Sequence, residues 1–134
     1  WFSESDTDIV KIIRFKNTFN DDFVNQVCND IIALKKTKEL LFVDCGGKID
    51  CYNQKILNLC THALIVSSDA DLIPEWRGTA KASNVKILAE IKSELYPVSK
   101  VIEREPLILE LGKLDRNIKD MELPDILIKS IVDF

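Results

Sequence analysis

The sequence predicts an α/β fold of three layers, in which a mostly parallel sheet lies between helices on both faces. Short apolar runs without polar alternation recur along the chain, as strands buried on both faces require. Segments with helical apolar spacing separate these runs, which is the order of successive βαβ units. The 134 residues, 46% of them hydrophobic, suit one globular domain spanning 1–134.

The first part of the chain predicts two strands around a well-marked helix. Residues 9–16 are rich in β-branched side chains and predict a strand. Asn20 follows as a helix cap, with two aspartates in the first turn, where the helix dipole favours negative charge. Apolar residues at helical spacing continue this helix to about residue 34. Residues 39–44 then predict a strand buried on both faces.

The remainder predicts further helices and strands in alternation. In chain order they are a short helix at 52–60, a strand at 62–67, a helix at 72–82, a strand at 85–91, a short strand at 107–111 and a helix after Pro124. Residues 113–134 form a C-terminal extension that carries this last helix. Glu90 interrupts an apolar strand, so we expect it to have a cationic partner among Lys48, Arg77 and Lys92.

Composition and charge argue against several functional classes. No apolar run approaches the ~20 residues of a membrane span, and a net charge of −4 argues against a broad nucleic-acid surface. The four cysteines form no CxxC pair, and the single histidine does not stand at zinc-ligand spacing from them. Reduced cysteines suit a cytoplasmic protein. The chain begins at Trp1 and its only methionine is Met121, so we expect a fragment.

Asp44 is the candidate catalytic residue and magnesium ligand. It ends the apolar run at 39–44, and a carboxylate in that position of a P-loop protein holds magnesium, as in a Walker B segment. Gly46, Gly47 and Lys48 follow, and we predict that they bind a cofactor, because glycines allow the backbone to approach a phosphate. The alternative is an aspartate that caps the next helix or closes a turn.

Ser67, Ser68 and Asp69 form a second group of candidate cofactor-binding residues. They end the strand at 62–67, and ligands of α/β sheets bind outside the carboxyl ends of the strands. We therefore expect them to meet a nucleotide base or a substrate at the same edge as Asp44. The alternative is a solvated turn that local side-chain hydrogen bonds stabilise.

An ordered series of motifs resembles a P-loop (AAA or kinase-like) ATPase domain that is fused or adjacent to a CRISPR-associated ring nuclease. The motifs are residues 43–48, the strand entry at 60–63, the Glu75-Trp76-Arg77 helix and the strand end at 89–93. The resemblance implies ATP and magnesium as ligands of the intact protein, a role in antiviral defence, and a CRISPR-associated ring nuclease as partner. Self-association or pairing with an upstream P-loop segment is a further expectation.

The chain departs from this family in one respect. It contains no G-x-x-x-x-G-K-[ST] loop, whose backbone N–H groups and lysine hold the phosphates. The resemblance therefore implies a C-terminal portion of an NTPase-like domain, in which nucleotide binding or hydrolysis needs the intact protein, and no cofactor is expected for this chain alone. The alternative is a non-catalytic Rossmann-like module that binds a ligand or a protein partner.

Overall fold

A computed structural model describes residues 20–114 and 123–133 of the chain. The chain divides into two compact units, Trp1–Cys60 and Thr61–Phe134, and each is described by itself. The strand predicted at 9–16 lies outside the described residues, as does most of the connection that precedes the last helix.

The described part of the first unit opens with the helix that the sequence predicts. Helix α1 (Asp21–Leu34) is capped by Asn20, whose backbone is extended and whose Oδ1 accepts a 2.9 Å hydrogen bond from the N–H of Phe23. Two aspartates occupy its first turn, as expected for the positive end of the helix dipole. The apolar face of α1 buries Val24 completely and Ile31 almost completely.

A second helix and a core complete the described part of this unit. Helix α2 (Cys51–Leu57) starts one residue before its predicted position and ends three residues earlier, because residues 58–60 close it as a turn. Ile56 of α2 packs with the two buried residues of α1, and half-buried side chains surround this cluster. They are Phe23, Val27, Cys28, Leu41, Val43, Cys45, Tyr52 and Leu59.

The strand predicted at 39–44 is not present. Residue 39 lies at a bend, and residues 40–45, called here the 40–45 segment, have no assigned strand. Leu41, Val43 and Cys45 are half-buried against the helices, whereas Leu40 and Phe42 are 47% and 55% exposed. The apolar run is thus covered on one side only, and its backbone forms no sheet ladder with any described residue.

The second unit contains the sheet, which has one strand more than the sequence predicts for this part of the chain. In chain order they are β1 (His62–Ser67), α3 (Leu72–Ala82), β2 (Lys86–Glu94), β3 (Ser99–Arg104), β4 (Leu107–Gly112) and α4 (Asp125–Val132). The strands lie in the order β1-β2-β4-β3. β2 pairs in parallel with β1 and β4, and β3 pairs antiparallel with β4. The sheet is therefore mixed but mostly parallel, as the fold class predicts.

Each face of this sheet carries one helix. Glu90 and Ile91 are adjacent in β2, so their side chains point to opposite faces. Glu90 bonds Arg77 of α3, which places α3 on one face. Ile91 belongs to a buried cluster with Leu127 of α4, which places α4 on the other. The described part of this unit thus has the three-layer α/β arrangement, and α4 is part of its core.

Strand β3 is the element that the sequence analysis does not predict. Its side chains are exposed apart from the half-buried Val101, because β3 lies at an edge of the sheet. Burial alternates along β4, with Leu107, Leu109 and Leu111 inside. A strand whose apolar residues are few gives a weak periodic signal, and only its pairing with β4 defines it.

Candidate functional site

The glycine loop after Asp44 is shaped by a side chain of α2. Asn53 is buried, and its Oδ1 accepts a 2.9 Å hydrogen bond from the N–H of Gly46. Its Nδ2 donates at 2.7 Å to the carbonyl oxygen of Lys48. Asn53 is itself positioned because its N–H bonds the Oδ1 of Asp50 at 2.8 Å, which caps α2. The sequence analysis did not single out Asn53; an aspartate three residues before it was the available signal.

Asp44, Gly47 and Lys48 are all exposed at this loop. A Cβ atom built on Gly47 meets no heavy atom within 4 Å, whereas one on Gly46 lies 3.1 Å from the Nδ2 of Asn53. Within residues 20–114 and 123–133, no group of three or more His, Cys, Asp or Glu side chains could hold a metal ion. The magnesium role of Asp44 therefore stays a prediction, and the described neighbourhood of its carboxylate does not add ligands to it.

The thiols beside this loop are in an unreactive state. Burial, together with Cys60 and Asp44, raises the pKa of Cys45 from 9.0 to about 11. Burial also raises the pKa of Cys60, whose Sγ lies 3.6 Å from the carbonyl oxygen of Ile56. A thiol with a raised pKa stays protonated at neutral pH, and the thiolate is the nucleophilic form. Cys45 and Cys60 therefore lack the lowered pKa of an activated nucleophilic thiol.

In the second unit, polar groups collect where the parallel strands end. Ser67 closes β1 and lies beside Lys92 of β2 in the sheet register. Two residues further along β2, Glu94 lies beside Gly112, the last residue of β4. The side chains of Lys92 and Glu94 form an ion pair of 2.5 Å, and this hydrogen bond raises the pKa of Lys92. Lys92 therefore stays charged, and the carboxylate of Glu94 offsets its charge.

The turn from β1 to α3 holds the second group of predicted site residues. The Oγ of Ser67 accepts a 3.0 Å hydrogen bond from the N–H of Asp69, and the Oδ1 of Asp69 accepts one of 2.9 Å from the N–H of Asp71. Ser68 and Asp69 are exposed, and Ser67 is half-buried. The hydroxyl hydrogen of Ser67 and the remaining lone pairs of Asp69 are not used by these bonds. The turn can therefore both donate to a ligand and accept from it.

The buried carboxylate of Glu90 is fully matched by one cation. Its two oxygens accept hydrogen bonds of 2.5 Å from the Nε and a terminal nitrogen of Arg77, which is one of the three partners that we expected. The side chain of Glu90 is 3% exposed and that of Arg77 is 37% exposed. The carboxylate also raises the pKa of Arg77, so the guanidinium stays charged. The pair joins α3 to the sheet and leaves no group free for acid–base chemistry.

The structure brings the predicted residues together in two sets. Asp44, Gly46, Gly47 and Lys48 form one loop of the first unit. Residues 67–69 form one turn of the second unit.

An open depression of about 530 Å³ in the second unit lies apart from the carboxyl edge, where β3 turns into β4. It is lined by Leu88, Arg104, Glu105, Pro106, Leu107, Ile126, Lys129, Ser130 and Asp133. Its rim carries two cations and two carboxylates above an apolar floor. The sequence analysis did not predict it, because its residues come from three separate segments.

Comparisons of the chain with protein-family models, with curated proteins and with solved structures find no match. Among the described residues, no helix has the length and apolar character that crossing a bilayer requires.

Proposed function

We propose that this chain is a non-catalytic, Rossmann-like binding module, and that the carboxyl edge of the sheet in the second unit binds a small uncharged ligand with neighbouring hydroxyl groups. The observation that carries the proposal is the turn of Ser67, Ser68 and Asp69 at the end of β1. Parallel strands bind ligands outside their carboxyl ends, and this turn retains both donor and acceptor capacity.

The charges at this edge favour a hydroxyl-bearing ligand over an anion. Asp69 and Asp71 are exposed there, and the one cation in register with Ser67, Lys92, is held by Glu94. A triphosphate at this turn would meet the carboxylates of Asp69 and Asp71, and the charge of the lysine beside Ser67 is already offset by Glu94. Vicinal hydroxyls, by contrast, donate well to a carboxylate, as the ribose of a dinucleotide does in Rossmann-fold proteins.

The reactive groups support a binding role over a catalytic one. In the described residues, the groups whose pKa is displaced are Cys45, Lys55, Cys60, Arg77 and Lys92, and each pKa is raised. A raised pKa keeps a thiol protonated and a lysine or arginine charged. Activated nucleophiles and bases need the opposite displacement in these residue types.

The test is a titration of the isotope-labelled chain with adenosine, followed by NMR. We expect shift changes concentrated at residues 67–69, with a dissociation constant of about 1 mM because the site is open. Asp69→Asn should weaken binding about tenfold, since it removes a charged acceptor. Asp133→Asn, which removes one carboxylate at the end of α4, is the matched control and should leave binding unchanged.

ATP with magnesium is the comparison ligand in the same titration. We expect it to bind no better than adenosine, because the phosphates gain no cationic site at this turn. Shift changes that avoid residues 67–69, or none up to about 10 mM adenosine, contradict the proposed site. The NTPase-like function that the resemblance implies remains a prediction for the intact protein. In that prediction ATP and magnesium are the ligands, and Asp44 is the magnesium ligand and catalytic residue.

A further inference from the structure

An exposed aromatic side chain, that of Tyr96, follows strand β2 at the carboxyl edge of the sheet. Tyr96 lies two residues beyond the end of β2 and is 56% exposed. Among the described residues its ring makes no aromatic or cation–π contact. The ring therefore gives this edge an apolar surface in addition to the polar turn at 67–69.

The strand register shows which side chains at this edge share a face of the sheet. Glu90 of β2 points to α3, because it bonds Arg77. Lys92 and Glu94 follow Glu90 at a period of two, so they share its face. Ser67 is the register partner of Lys92 in the adjacent parallel strand and points the same way. The chain runs from Ser67 into α3, so the turn that follows Ser67 lies on this face as well.

The phenol of Tyr96 lies on the same side, near the ammonium group of Lys92. The hydrogen bond to Glu94 is the main cause of the raised pKa of Lys92, and the phenol adds a smaller electrostatic contribution. Such a contribution requires groups that are close in space. Lys92 is beside Ser67, since adjacent strands are about 4.8 Å apart. Tyr96 and the turn that begins at Ser67 therefore flank one space at the edge of the sheet.

The backbone around Tyr96 is held by the end of β4. The N–H of Gly112 donates at 2.7 Å to the carbonyl oxygen of Val98, and the N–H of Lys113 donates at 3.1 Å to that of Glu94. A Cβ atom on Gly112 would lie 1.7 Å from the carbonyl oxygen of Tyr96, so the two backbones are in direct contact. An aromatic side chain on an anchored backbone loses little conformational freedom when a ligand covers it.

We propose that the ligand of this edge is a nucleoside, and that Tyr96 stacks on its base while the turn of Ser67, Ser68 and Asp69 binds the hydroxyl groups of its ribose. This rests on the proposed function, to which it adds the ligand class and a further binding residue. A nucleoside joins vicinal hydroxyls to a planar ring, so it uses both surfaces at once, whereas a simple pentose lacks the planar ring. Every base has a π-face that stacks on an aromatic side chain, so we expect little preference among bases.

The test compares adenosine with methyl β-D-ribofuranoside, which has the same hydroxyl groups and no base. Each is titrated into the isotope-labelled chain, and NMR follows the amides of residues 67–69. We expect the ribofuranoside to bind about tenfold more weakly than adenosine, because it lacks the stacked base. Bound adenosine should also give intermolecular NOEs between the adenine protons and the ring of Tyr96.

Substitutions at the two surfaces should separate their roles. Tyr96→Ala should weaken adenosine binding about tenfold and leave the ribofuranoside unchanged, whereas Tyr96→Phe keeps the ring and should retain adenosine binding within about threefold. Asp69→Asn should weaken both ligands about tenfold. Ile102→Ala is the matched control: it shortens another half-exposed apolar side chain, in β3 at the opposite edge of the sheet from β1, and should change neither ligand.

The failure of the Tyr96 contact and the failure of the binding site give different results. If residues 67–69 respond to adenosine and Tyr96→Ala binds it as tightly as the unmodified chain, the stacking role is contradicted and the proposed function stands. An equal loss for both ligands also contradicts stacking, because Tyr96 would then act through the shape of the turn. If neither ligand shifts residues 67–69, the proposed function fails and the nucleoside with it. Amide spectra of the variants show that each stays folded.

Discussion

At the scale of single residues, the clearest feature is a buried carboxylate with a partner of the right shape. Glu90 would cost several kcal/mol if it were buried alone, and the planar guanidinium of Arg77 satisfies both of its oxygens. The sequence exposed the problem, because an acid stood inside an apolar strand. Which of the three expected cations pairs with Glu90 depends on the packing of α3 against the sheet, which brings Arg77 to the carboxylate.

Removal of Arg77 should therefore be costly. We expect Arg77→Ala to lower the free energy of unfolding by about 3 kcal/mol, at the low end for a buried pair because Arg77 is 37% exposed. Chemical denaturation monitored by circular dichroism measures this.

Two further variants test whether the loss of stability comes from the unpaired carboxylate of Glu90. Lys81→Ala, which changes an exposed lysine of the same helix, should shift stability by less than about 0.5 kcal/mol. Arg77→Met combined with Glu90→Leu should recover most of the loss, because no unpaired carboxylate remains. An Arg77→Ala protein as stable as the unmodified chain would show that water reaches Glu90.

At the scale of elements, two glycines differ in the space around their Cα atoms. Gly112 lies against the backbone of another segment, whereas Gly78 lies in a helix with open space beside it. The N–H of Gly112, at the end of β4, donates at 2.7 Å to the carbonyl oxygen of Val98. A Cβ atom on Gly112 would lie 1.7 Å from the carbonyl oxygen of Tyr96. Gly78 in α3 has nothing within 4 Å of such an atom. The same residue type thus serves a steric need at one site and none at the other.

The two positions should respond in opposite directions to alanine. Gly112→Ala is expected to destabilise the protein by about 2 kcal/mol or more, because backbone must move to admit the methyl group. Gly78→Ala is expected to stabilise it by about 0.5–1 kcal/mol, because glycine is a poor helix former. Thermal unfolding of the two variants tests both, and equal shifts of the same sign would contradict this explanation.

At the scale of the whole molecule, the described residues differ in burial and in backbone hydrogen bonding. β2 and β4 are the inner strands of the sheet and contain deeply buried side chains, among them Ala89 and Leu109. The 40–45 segment has a half-buried face and no backbone ladder with described residues. Free energies of local opening follow such differences in burial and hydrogen bonding.

Amide hydrogen exchange should show this hierarchy. The amides of Ala89 to Ile91 and of Leu109 should exchange slowest. Those of residues 40–44 should exchange at least about 100-fold faster. Comparable protection of both regions would mean that the segment has a backbone partner.

The prediction of helices succeeded where local signals agree. Asn20 with two following aspartates predicted the start of α1. Asp71 as a cap and Pro74 near the first turn predicted the helix observed at residues 72–82, although Asp71 makes no side-chain cap hydrogen bond. Caps, periodicity and propensity are properties of neighbouring residues, so they can be read without the fold. The strands β1, β2 and β4 were predicted for a related reason, since burial on both faces leaves a continuous apolar run.

In the candidate site, too, local features could be predicted from the sequence and long-range contacts could not. That residues 44–48 form a loop and residues 67–69 a turn follows from glycine, serine and aspartate, and the sequence by itself determined this much. Only the tertiary structure decided that Asn53 holds the glycine loop, that β3 joins the edge of the sheet, and that residues 40–45 have one covered face and no strand. An apolar run records that side chains avoid water, whereas a backbone partner is chosen by which distant segments meet, and that choice is not a local property of the chain.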